Sequence, residues 1–202
     1  MNIDNFEIIK SLLSFQTEDD FYHLQILKRK KENPELGSNS YVIKTYYVTS
    51  PEYLDKKRDE IINLCNFHNA RAYINLNARS FEKMAFHALK KITDQIMNRD
   101  YKSVYKAYES VAGTYGTGRD KTFLIDIDYS DFKENLFRLG EIHARIEELQ
   151  AETGHQPRMD IIPTKNGYHL ITRPFNIKKL EPLMYSGTVF DIHKDNPTIL
   201  YL

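Results

Sequence analysis

The chain has 202 residues, 41% of them hydrophobic and 28% charged, which bounds it to one large globular domain or two small ones. Lys and Arg (28) balance Asp and Glu (28), so a global polyelectrolyte attraction to nucleic acid is excluded and any such contact must come from a local patch. The single cysteine, Cys65, excludes an internal disulfide or a multi-cysteine zinc site and fits a reducing cytoplasm; the first residues do not read as a signal peptide, and no stretch approaches the ~18 apolar residues of a membrane span.

Residues 1–20 predict a short helix. "FYHLQILKRKK" and "SYVIKTYYVT" predict two strands around a polar turn, with a local cationic run at 28–31 of the kind that attracts backbone phosphates. Ser50 and Pro51 open a helix whose inner face carries Leu54, Ile61, Leu64 and Cys65. "ARAYINLNAR" alternates as a strand. Arg71, Tyr73, Asn75, Asn77 and Arg79 share its polar face, where Tyr73 could stack on a base or pack between modules. Ser80 caps a helix with Phe81, Met84, Ala85, Ala88, Leu89, Ile92 and Ile96 as its apolar stripe.

Three of the eight glycines fall in "SVAGTYGTGRDK", which divides the chain into a module at 1–112, a linker at 113–121 and a second module at 122–202. The second module opens on "TFLIDIDY" and continues with a helix entered through Asp131 and Glu134, with Phe132, Leu136, Leu139, Ile142, Ile146 and Leu149 inward. Then come "RMDIIPT" and "YHLITRPF" joined through "TKNG", a short helix "NIKKLEPLM", and strands "TVFDIHK" and "TILYL". The order β-α-β-β-α-β predicts an α+β fold: an RRM-like, split βαβ antiparallel sheet preceded by a smaller α/β module, with one sheet face left to carry a site.

Alternation puts Phe123, Ile125, Ile127 and Tyr129 on the helix-packed face, and Leu124, Asp126 and Asp128 on the other. Two carboxylates at i and i+2 lie roughly 6–7 Å apart along a strand. That pair can serve magnesium, which takes one or two carboxylates and completes its shell with phosphate oxygens and water, or it can be two solvated acids. On "YHLITRPF", His169, Ile171 and Arg173 share a face; on "TVFDIHK", Val189, Asp191 and His193 do. If these faces coincide, three carboxylates meet a histidine and an arginine suited to phosphate. Gly167 allows a tight turn, and Lys165 at its tip could reach a phosphate or be a solvated turn lysine.

With "FLIDID", "NGYH" and "VFD" in this order, most of the chain resembles the archaeo-eukaryotic primase superfamily, which includes primase small subunits and primase-polymerases. The resemblance implies a metal-dependent nucleotidyltransferase acting with NTP or dNTP on a nucleic-acid primer or template. It implies Mg²⁺ or Mn²⁺ held by Asp126, Asp128 and Asp191, with Asp195 as the other choice of third acid. It further implies phosphate or nucleotide contacts from His169, with Lys165, Arg173 and Arg79 added from their positions. Gly167 stands where the family often has serine. A divalent-metal nuclease or phosphohydrolase, and a decayed primase-like nucleic-acid-binding module, remain alternatives on the same residues. No membrane partner is expected, and a helicase or accessory subunit is not identified.

Overall fold

Hydroxyl caps and hydrophobic periods set the elements of the first half. In this computed structural model, which describes residues 3–37, 40–114, 116–128, 136–154, 156–180 and 191–202, the half contains α1 (Phe6–Leu12), β1 (Asp20–Lys28), β2 (Tyr41–Val48) and α2 (Pro51–His68), then β3 (Arg71–Asn75), β4 (Arg79–Ser80), α3 (Phe81–Met97) and α4 (Ala107–Ala112). Ser50 Oγ accepts the Tyr53 amide at 3.1 Å, and Ser80 Oγ accepts the Lys83 amide at 3.2 Å, so both predicted serines cap their helices. Leu54, Ile61 and Cys65 of α2 are buried against the sheet, with Leu24, Ile26, Ala72 and Ile74 among their partners.

The second half comprises β5 (Phe123–Asp128), α5 (Leu136–Ala151), β6 (Met159–Pro163), β7 (Gly167–Thr172), β8 (Asp191–His193) and β9 (Pro197–Tyr201). The chain is therefore α+β, with two antiparallel sheets and five α-helices among the described residues. One sheet runs β2-β1-β3-β9, with β4 beside β1; the other runs β6-β7-β5-β8. None of the described helices is long and apolar enough to cross a membrane.

Phe123, Ile125 and Ile127 pack against Ile142, Ile146 and Leu149 of α5, on the side that alternation predicts. Leu124, Ile162 and Ile171 point the other way and join the core of the first half. Fully burying side chains of this kind contributes about 1.5–3 kcal/mol apiece. The second sheet thus lays one end of its acid-bearing face against the first sheet.

Four features differ from expectation. "TILYL" does not stay in the second module: as β9 it pairs with β3, with Tyr73 opposite Ile199 and Asn75 opposite Pro197. The run 71–79 is not one strand, because it breaks after Asn75 and resumes at Arg79 to pair with the start of β1. Only Met84 and Ala88 of the α3 stripe are buried, while Leu89 and Ile96 are exposed, because α3 packs on a small cluster with Phe21, Val111 and Ala112. Where "NIKKLEPLM" predicts a helix, its described residues hold a 3₁₀ turn at Ile177–Lys179. Tyr129, Asp131, Phe132, Glu134 and Val189, with 181–184 of that predicted helix, lie outside the described residues, as do the side chains of Leu136 and Leu139.

Candidate functional site

Strand register determines which of the predicted residues meet. Asp126 on β5 is paired with His169 on β7 and, on its other side, with Asp191 on β8. Directly paired residues point to the same face, so Asp191, Asp126 and His169 form one row across three strands. Asp128 lies two residues farther along β5, opposite Gly167. A Cβ at Gly167 would sit 1.9 Å from the Ile127 carbonyl oxygen, so glycine is required by the passage of β5 and serine could not take its place without a backbone shift.

Asp126 and His169 of this row line a cleft of about 430 Å³ between the sheets, and Asp191 stands beside Asp126 on the neighbouring strand. Asp126, Asp128, Lys165 and His169 line one wall; Arg29, Lys31, Arg71 and Tyr73 line the other. The 28–31 run therefore supplies two cations to the cleft, and Lys165 faces them from the β6–β7 turn, which is closed by the Thr164 amide donating to the Gly167 carbonyl at 3.0 Å. Arg71 is paired with Glu32, which leaves Arg29, Lys31 and Lys165 as the cleft cations without a carboxylate partner among the described residues.

His169 is held from behind. Its Nδ1 lies 2.8 Å from Thr198 Oγ1 on β9, and its Nε2 lies 3.5 Å from Asp126 Oδ1. Burial, helped by nearby His193 and opposed by Asp128, pushes its pKa down to about 4, so the ring is neutral at pH 7. A neutral imidazole whose Nδ1 is engaged presents one orientable nitrogen to the cleft. His193 lines the cleft on the face that alternation shares with Asp191, whereas Thr198 carries no recognisable motif and becomes visible only once β9 is seen to cross back beside the second sheet.

Two predicted residues lie elsewhere. Arg79 does not reach the cleft: it is 0% exposed, donating from Nε to the Ala112 carbonyl (2.9 Å), from Nη1 to the Asn77 carbonyl (2.7 Å) and from Nη2 to Asp195 Oδ2 (3.0 Å). Asn77 Nδ2 adds a bond to Asp195 Oδ1 (3.0 Å), and Asn75 Nδ2 binds the Asp195 carbonyl (3.2 Å). The polar face of 71–79 is thus largely consumed in fastening the β8–β9 turn. Asp195, committed to Arg79 and Asn77, is a poor candidate for third acid, whereas Asp191 stands beside Asp126. Arg173 opens into a different cavity at the opposite end of the sheet interface.

Among the described residues no group of three His, Cys, Asp or Glu side chains forms a ready metal cage. The donor chemistry at Asp126 and Asp128 nonetheless fits magnesium or manganese, because hard cations of this kind use one or two carboxylates and take the remaining oxygens from substrate phosphate and water. Comparison of the chain with known protein families, with characterised proteins and with solved structures finds no match.

Proposed function

We propose that the chain is a metal-dependent nucleotidyltransferase of primase-polymerase type, built on an RRM-like core. The strand order β6-β7-β5-β8, with α5 between β5 and β6, supports that core. The observation that carries the reading is the row Asp191–Asp126–His169 beside a cleft whose far wall is cationic. An acidic pair alone would suit any solvated surface; an acidic pair facing free cations across a nucleotide-sized cleft suits a charged phosphate chain.

In this reading a 3′-hydroxyl attacks the α-phosphate of an NTP or dNTP and pyrophosphate leaves. Asp126 and Asp128, with Asp191, would hold Mg²⁺ or Mn²⁺, which supplies charge compensation for the attacking and leaving oxygens. His169 would donate from Nε2 to a phosphate oxygen while Thr198 fixes its ring. Arg29, Lys31 and Lys165 would neutralise the remaining phosphate charge, and Tyr73 would offer a face to a base or sugar.

The test is incubation of the chain with a labelled primer–template, Mg²⁺ or Mn²⁺, and NTPs or dNTPs. Extension is expected, and Asp126→Asn/Asp128→Asn should reduce it by more than about a hundredfold, the scale of losing one preorganised charge partner. Shortening of the labelled strand without nucleotides would replace this reading with a hydrolytic one.

A further inference from the structure

Gln150 of α5 is fully buried and places a single acceptor, Oε1, between two backbone amides: Arg158 donates to it at 3.1 Å and Arg173 at 2.9 Å. Met159 pairs with Thr172, so the next residues outward, Arg158 and Arg173, lie opposite each other on the face that meets the first sheet. Two guanidinium groups so placed repel each other unless an anion lies nearby. Arg158 is relieved by Asp160, which accepts from its Nε. Arg173 has no carboxylate partner among the described residues, and its Nε is buried with no acceptor.

Both arginines line a cavity of about 220 Å³, together with Arg119 and Lys121. Its acids are Asp20 and Asp120. Burial alone would raise the pKa of Asp20, but hydrogen bonds from the Gln16 amide (2.8 Å) and from the Thr17 amide and hydroxyl (3.1 Å each), with the Arg119 ion pair, hold it below the usual range. Asp120 accepts from the Gln16 side chain. Lys121 and Arg173 are left as the cavity's unpaired cations among the described residues. A partly open site with a buried guanidinium Nε lacking an acceptor and a second cation without a carboxylate partner among the described residues matches a tetrahedral oxyanion, which accepts charge-assisted N–H bonds.

We propose that this cavity binds a phosphate group, at a site separated from the acidic cleft by the packed side chains of Leu124 and Ile171. The inference does not rest on the chemistry assigned to the cleft. The phosphate can come from inorganic phosphate or from a nucleic-acid strand, and two arms distinguish them. Inorganic phosphate is titrated into the full chain by calorimetry; a single-stranded oligonucleotide is titrated by fluorescence anisotropy at several salt concentrations. Saturable one-site binding is expected in at least one arm, weakened about tenfold or more in Arg173→Gln and in Lys121→Gln, the scale expected for losing one charge-assisted contact. Asp126→Asn/Asp128→Asn should retain the phosphate affinity, which separates this site from the cleft. Weakening confined to the calorimetric arm assigns a free anion; weakening in the oligonucleotide arm with a shallower salt dependence assigns a strand phosphate. If both cavity variants bind like wild type in both arms, or wild type saturates in neither, the proposal is overturned.

Discussion

Replacing Arg79 with methionine separates a structural arginine from a ligand-binding one. The side chain is 0% exposed and makes contacts to two carbonyls and one carboxylate. Removing one member of a buried ion pair costs about 3–5 kcal/mol. Asp195 is 26% exposed and keeps its bond from Asn77, so the low end, about 3 kcal/mol, applies to it. The Ala112 and Asn77 carbonyls lose donors at about 1 kcal/mol each. The expected loss is therefore about 5 kcal/mol, a large share of the ~5–15 kcal/mol that stabilises a typical domain. Urea unfolding reads it directly. Asp195→Asn should also destabilise, and the double variant should lose clearly less than the two single losses added together, because both remove the same pair. If Arg79→Met unfolds at the wild-type urea midpoint while nucleotide affinity collapses, Arg79 faces a ligand and the structural assignment is wrong.

Four further outcomes follow from the geometry. Gly167→Ala places a methyl against the Ile127 carbonyl and should cost at least the ~1–3 kcal/mol of ordinary overpacking, seen as a lowered melting temperature; an unchanged one would mean β7 does not pass β5 this closely. His23 and His169 both have pKa values lowered from 6.5 to about 4 by burial, so the unfolded chain takes up their protons first and stability should fall as pH drops from about 6.5 towards 4. The slope is at most roughly 1.4 kcal/mol per histidine per pH unit, and equal urea midpoints at pH 7 and pH 5 would contradict it. Thr198→Val should raise the KM for nucleotide with little change in fold, since it releases the His169 ring; an unchanged KM, with the His169 ring resonances also unmoved by NMR, would mean Thr198 does not orient it. Asp191→Asn should weaken Mn²⁺ binding measured by electron paramagnetic resonance while leaving the urea midpoint near wild type, because Asp191 is exposed; a lowered midpoint with unchanged Mn²⁺ affinity would reverse the roles given to Asp191 and Asp195.

Local chemistry was legible in the sequence because it depends on neighbours a few residues away. Ser50 and Ser80 cap helices through amides three positions on, and the sides taken by Ile125 and Asp126 follow from a period of two. The polar face of 71–79 was visible as hydrogen-bonding capacity, but its acceptors were not. Arg79 bonds to a carbonyl 33 positions away, and Asn75 to one 120 positions away. A ligand phosphate and a distant backbone carbonyl satisfy the same donor, so composition cannot separate them. The place of Arg173 is not legible for a related reason: alternation gives the correct face of β7, but not the way Leu124 and Ile171 divide that face into two cavities, so Arg173 opens away from the acids.

The return of β9 connects fold and site. Had "TILYL" remained in the second sheet, Thr198 could not stand behind His169 from the first, and nothing in the pairing would fix the spacing of the two cleft walls. Pairing β9 with β3 ties Asn75, Asn77 and Arg79 to the 194–195 turn and places Ile199 beside Tyr73 in the cleft floor. The same tie accounts for two aspartates on a strand as apolar as "FLIDID". Leu124 takes the packed part of the interface, where an unpaired carboxylate would be costly, and the cleft begins at Asp126, which retains 45% side-chain exposure. The carboxylates thus sit where water, cations and phosphate can reach them.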